Sequence, residues 1–146
     1  MKRIIAILAL VLMGISSAKA QEWQTDFSAA KELAKKESKP IVLVFQGSDW
    51  CAPCIKLDRE IWSTDVFKKY ANEHYVLLRA DFPRKKKNAL EESQAAANVK
   101  LFETYNKIGV FPFVVVMDSN GKVLGETGYK KSTPEKYIAE IDAFTK

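Results

Sequence analysis

The 146-residue chain has only two cysteines and one histidine, His74. A closed structural zinc site normally takes four Cys or His ligands, so this inventory excludes one built from these residues. No methionine or histidine lies close in sequence to the cysteines, which weakens a role in passing a soft ion such as Cu(I) but leaves that reading as an alternative. Long apolar runs are scarce too. The run Ile4 to Ile15 is too short to span a bilayer comfortably, and no cysteine follows it to accept a lipid. Neither a linker nor an internal repeat divides the remainder.

The opening segment reads instead as a secretion signal. Lys2-Arg3 precede the apolar run, and Ser16-Ser17-Ala18-Lys19-Ala20 places small residues at the two recognition positions, predicting cleavage after Ala20. Residues 21–146 then form one domain, exported to the periplasm or secreted, with no membrane anchor and acting as a monomer. Cleavage removes three of the 23 basic residues and none of the 18 acidic ones, so the net charge falls from +5 to +2. That balance gives no case for a nucleic-acid partner.

Both cysteines fall within Cys51-Ala52-Pro53-Cys54, entered from the apolar run Ile41-Val42-Leu43-Val44-Phe45 through Trp50. If a helix begins at Cys51, positions i and i+3 share a face with Cβ atoms about 5–6 Å apart, within reach of a disulfide. So short a loop restricts the unfolded chain little, so a purely structural bridge has a small entropic return. Two thiols kept for redox chemistry fit better. Outside the cytoplasm disulfides form and persist, so the pair rests oxidised unless an electron donor reaches it.

The rest of the chain supplies a scaffold. Residues 26–38 predict an amphipathic helix through Phe27, Ala30, Leu33 and Ala34, capped by Asp26, and residues 41–45 a strand covered on both faces. After the cysteines, Leu57 and Ile61 continue a buried helical face, and Ser63-Thr64-Asp65 mark a break and a new cap. Residues 75–82 read as a second strand, 90–107 as a helix whose apolar side extends through Leu101, Phe102, Tyr105 and Ile108, and 113–117 as a third strand. Asn120-Gly121 suits a tight hairpin into Val123 and Leu124. Thr133 and Pro134 open a last helix with Tyr137, Ile138, Ile141 and Phe144 on its inner side. The order implies an α/β fold, a central mixed sheet with helices on both faces. His74 reads as a surface or capping residue, and Arg84-Lys85-Lys86-Lys87 as a solvated loop or, less simply, a docking patch for an acidic partner.

Trp50-Cys51-Ala52-Pro53-Cys54, Val110-Phe111-Pro112-Phe113, and Asn120-Gly121-Lys122 followed by Gly128 together resemble the thioredoxin-like thiol:disulfide oxidoreductases over nearly all of residues 22–146. Ser48-Asp49-Trp50-Cys51 with Leu57-Asp58 and Phe67 is similar to exported members and to the C-terminal domain of the interchange protein DsbD. The resemblance implies a thioredoxin fold and an enzyme in which Cys51 attacks and Cys54 resolves, without organic cofactor or metal. Its partners would be exported proteins bearing disulfides or thiols, and a membrane or soluble redox donor or acceptor. Taken alone, Pro112 would be expected trans; the resemblance implies a cis Phe111–Pro112 bond beside the cysteines, where Phe111, Pro112 and Trp50 contact substrate. Pro53 fits the first helical turn and stiffens the loop between the sulfurs. Many thioredoxins carry a buried aspartate where this chain has Phe45, and Asp58, one turn beyond Cys54, has a counterpart in the DsbD-like domain. Sheltered there, Asp58 would be costly to ionise and suited to exchange a proton with Cys54. Phe113 is expected to add bulk beside the substrate groove. The flanks and the Ala-Pro dipeptide point to a reductase or isomerase rather than an oxidase; a redox-inactive scaffold would require the cysteines to be incidental.

Overall fold

The computed structural model describes residues 21–146, so the secretion signal expected over residues 1–20 lies outside the described residues. Five strands and five α-helices are arranged as β1 (Trp23–Gln24), α1 (Phe27–Glu37), β2 (Ile41–Gln46), α2 (Ala52–Leu57), α3 (Asp65–His74), β3 (Val76–Asp81), α4 (Glu92–Tyr105), β4 (Phe113–Met117), β5 (Val123–Gly128) and α5 (Pro134–Phe144). The sheet order is β1-β3-β2-β4-β5. β3 runs parallel to β1 and β2, whereas β4 is antiparallel to both β2 and β5. This is the thioredoxin fold. Among the described residues, no helix is long and apolar enough to cross a membrane.

Alternation along the buried strands builds two cores. Val42 and Val44 of β2, with Val114 and Val116 of β4, pack against Leu57, Ile61, Trp62, Phe67, Tyr137 and Ile141. The intervening Ile41, Leu43 and Phe45, with Phe113, Val115 and Met117, pack against Ala30, Ala34 and Leu101. A period of two thus directs successive side chains to the α2/α3/α5 layer and to the α1/α4 layer. Trp62, 1% exposed, centres the first core, with Phe67 at 4.8 Å and Tyr137 at 5.4 Å between ring centroids.

Caps fall where short polar side chains were expected to satisfy free backbone donors. Asp26 accepts from the Ala29 amide at 2.9 Å, Thr64 from Phe67 at 3.3 Å, and Thr133 from Lys136 at 3.3 Å ahead of Pro134. The chain leaves α2 through one turn of π-helix, Asp58–Trp62, closed by the Ser63 amide on the Asp58 carbonyl at 2.7 Å.

Two local features, β1 and Ile108, differ from the sequence reading. The two-residue β1 was not anticipated, because so short a strand carries no period. The Asn120-Gly121 turn joins β4 to β5 as an antiparallel hairpin, as expected, through residues 118–122: Asp118 accepts from the amides of Lys122 at 3.0 Å and Asn120 at 2.8 Å, holding its carboxyl below the usual carboxylate range. Gly121 takes φ +87° there, and a Cβ would come within 2.8 Å of the Tyr105 hydroxyl. Ile108 lies past the end of α4 and is 68% exposed, outside the buried stripe.

Candidate active site

Three loops meet at one edge of the sheet because of strand direction. β2 and β3 run parallel, so their C-terminal ends coincide, and the N-terminal end of antiparallel β4 returns to the same edge, with Phe45 paired to both Ala80 and Phe113. The loop from β2 carries Cys51, the loop from β3 begins at Phe82, and the segment entering β4 contains Phe111–Pro112, whose peptide bond is cis. The sheet therefore gathers residues separated by some sixty positions without help from local spacing.

Cys51 and Cys54 form a disulfide, with Cα atoms 5.2 Å apart. Cys51 is the N-cap of α2, and its Sγ accepts the Cys54 amide at 3.3 Å. Pro53 occupies the first turn, where its missing N–H leaves no bond unmade. In this oxidised form neither cysteine is the more open of the two: each residue is 4% exposed. The bond between the sulfurs itself covers part of both.

Trp50 lies along Gly47, where a Cβ would sit 2.2 Å from the indole, so glycine is what admits the ring. The indole Nε1 donates to the Phe82 carbonyl at 2.7 Å, and the ring meets Phe111 edge-on at 5.6 Å. Phe111 stacks on Phe102 at 5.8 Å, which in turn meets Phe45 at 6.1 Å. Phe45 therefore fills the core of the α1/α4 layer where many thioredoxins carry an acid. Phe113 stacks on Phe45 at 6.4 Å and is buried, correcting the expectation that it adds bulk to an open groove.

Behind Cys54 a cavity of about 270 Å³ is lined by Gln46, Ser48, Ile55, Asp58 and Arg79. Asp58 shares this cavity but is exposed and accepts from the Ser63 hydroxyl at 3.1 Å, so the sheltered carboxyl read from the sequence is not what the fold provides. Asp58 follows Cys54 at ordinary α-helical spacing, its amide bonded to the Cys54 carbonyl, but the side chain is exposed there. Arg79 was missed. Its Nε is buried without a hydrogen-bond partner, its guanidinium lies 4.7 Å from the Trp23 ring, and burial lowers its pKa against the opposing pull of Asp58 and Asp81. A lone arginine in a strand carries no sequence signal that would single it out.

Asp49 and Asp81 were also missed as organisers of the site. The Asp49 carboxylate accepts from the Arg84 and Lys85 amides and from the Asn88 side chain, each at 3.0 Å. These donors, the Arg84 amide foremost, hold its carboxyl down at about 2. Asp81 accepts from the Ser48 amide at 2.9 Å and hydroxyl at 2.6 Å. Ser48-Asp49 stood within a recognisable motif, but their partners lie more than thirty positions away. His74 stacks on Tyr70 at 4.1 Å at the end of α3. Among the described residues, no group of three or more His, Cys, Asp or Glu gathers that could hold a metal ion.

A family model described as thioredoxin-like matches residues 22–119. The chain is 35% identical over 125 residues to the disulfide bond reductase DsbH of Chlamydia pneumoniae, an alignment covering 86% of this chain and 73% of that protein. The solved structure of a DsbH oxidoreductase superposes with a TM-score of 0.79 at 34% identity, covering 87% of this chain and 85% of the other. The oxidised C-terminal domain of Neisseria meningitidis DsbD shares the fold, with a TM-score of 0.54 at 21% identity over 80% of this chain and 90% of that domain.

Proposed function

The chain belongs to the thioredoxin-like family and is a disulfide oxidoreductase; from that premise we propose that it is exported and reduces or isomerises disulfides of other exported proteins. The observation that carries this reading is the Cys51–Cys54 disulfide with Cys51 at the N-cap of α2. The 35% identity to a disulfide bond reductase supports the direction of electron flow, as do the Ala52-Pro53 dipeptide and the residues flanking the motif.

In the reduced protein, the Cys51 sulfur sits where unpaired backbone donors and the helix dipole favour the thiolate over the thiol. The Cys54 amide already points at that sulfur. The thiolate attacks one sulfur of a client disulfide, forming a Cys51–client bond and releasing the other client sulfur as a thiolate that takes up a proton. Cys54 then gives up its proton and attacks the Cys51 sulfur; the mixed disulfide breaks, Cys51–Cys54 forms, and the second client sulfur leaves as a thiolate to be protonated. Two electrons pass to the client, and an external dithiol donor restores the protein. Asp58, sharing the cavity with Cys54 and open to solvent, is the group we assign to proton exchange with it. Trp50, Phe111 and Pro112 form the wall against which the client lies.

The test is trapping. Cys54→Ser should strand clients on Cys51 as stable mixed disulfides, whereas Cys51→Ser should strand none. If only Cys51→Ser traps clients, the two roles are reversed.

A further inference from the structure

The loop after β3 carries Arg84, Lys85, Lys86 and Lys87, four consecutive exposed cations. A solvated loop would hang free, but this one is fastened to the active-site loop at several points. Asp49, two residues before Cys51, receives the Arg84 and Lys85 amides and the Asn88 side chain, each at 3.0 Å. Phe82, where the loop begins, takes the Trp50 indole N–H at 2.7 Å. The Arg84 guanidinium lies 3.7 Å from the centroid of the Trp50 ring, beside the residue that leads into the disulfide.

The nearby carboxylates hold the loop in place and offset only part of its charge, Asp49 attracting Lys85 across the tether. Asp49 spends both oxygens on backbone and amide donors, and Asp81 is occupied by Ser48. Among the described residues none of the three ion pairs engages Arg84, Lys85, Lys86 or Lys87. Glu91 and Glu92 follow at the start of α4 without pairing to them. Residues 21–146, with a net charge of only +2, thus concentrate four cations that lack ion-pair partners next to the redox centre.

We propose that this tethered basic loop is a client-docking wall that selects disulfides flanked by acidic polypeptide. The inference rests on the redox reading above and adds the substrate class. Its physics is local. At physiological ionic strength screening acts over about 8 Å, so a cationic loop packed on Trp50 influences the segment lying over Cys51 far more than distant parts of a client. Charge complementarity of this kind acts mainly on the rate of productive encounter.

The experiment measures second-order rate constants for reduction of disulfide-bonded peptides flanked by glutamate, glutamine or lysine, with a neutral small disulfide, hydroxyethyl disulfide, alongside. The wild type should reduce the glutamate peptide about tenfold faster than the lysine peptide at low salt, with the ratio collapsing toward unity at about 0.5 M salt. The ratio should fall toward unity in Lys85→Gln/Lys86→Gln/Lys87→Gln and invert in the corresponding glutamate variant. It is taken within each protein, so general changes in reactivity cancel. Equal ratios in wild type and both variants overturn the docking role while leaving the redox activity intact. A wild type inert even toward hydroxyethyl disulfide overturns the redox reading, and this proposal with it.

Discussion

At the scale of single residues, Asp49 shows how a side chain outside the chemistry sets the geometry around it. Its carboxyl is held at about 2 in the folded chain, against an ordinary 3.8, by the Arg84 and Lys85 amides and the Asn88 side chain. A depressed carboxylate favours the folded form wherever it is ionised there and stays ionised unfolded; that contribution is complete above about 3.8 and is lost as pH falls toward 2. The amide resonances of Arg84 and Lys85 should accordingly titrate with a midpoint near pH 2, and the stability difference between wild type and Asp49→Asn should shrink through that window. A midpoint at the ordinary 3.8 would show that the tether does not hold in solution. The sequence made Cys51, Cys54 and Pro53 legible as a site because they are neighbours. It could not expose Asp49, Asp81 or Arg79, whose meaning lies in partners from other strands. Asp58 was legible by position, since the helical period does bring it to the cavity of Cys54, but spacing alone could not tell that its side chain is exposed there.

At the scale of elements, α5 is fixed to α3 and to the start of β3 through one carboxylate. Tyr75, at the entrance of β3, donates to Asp142 at 2.6 Å, and Tyr70 of α3 donates to its other oxygen. Burial, with the bond to Asp142, pushes the Tyr75 hydroxyl well above its ordinary pKa, as expected for a neutral donor facing a carboxylate. Asp142→Ala should therefore cost about 1–3 kcal/mol by leaving the largely buried Tyr75 hydroxyl without its main acceptor, while Asp142→Asn, which keeps an acceptor, should cost less. Urea unfolding tests this: the midpoint should fall with the slope unchanged. Equal stability of wild type and Asp142→Ala would show that the clamp adds nothing. Most helices and strands were readable because caps and periods are local, as with Asp26, Thr64 and Thr133. β1 was not, since it is too short for a period.

At the scale of the whole molecule, the mixed sheet turns chain order into an active edge. Parallel β2 and β3 end where antiparallel β4 begins, so the disulfide, the basic loop after Asp81 and Phe111–Pro112 meet without being adjacent in sequence. The alternation of β2 between two cores supports that edge from both sides, with Phe45 locked among Phe102 and Phe113. This architecture followed from the order of elements and from the resemblance carried by Cys51-Ala52-Pro53-Cys54 and Phe111-Pro112. The cross-connections that shape the client surface did not. The account depends most on the fold making Cys51 an anionic nucleophile, and alkylation of the reduced protein by iodoacetamide across pH, with the modified residue located by mass spectrometry, tests that directly. Cys51 should be modified first, with an apparent pKa well below the ordinary thiol value of about 8.5. Modification of Cys54 first, or titration of Cys51 at or above that value, would contradict it.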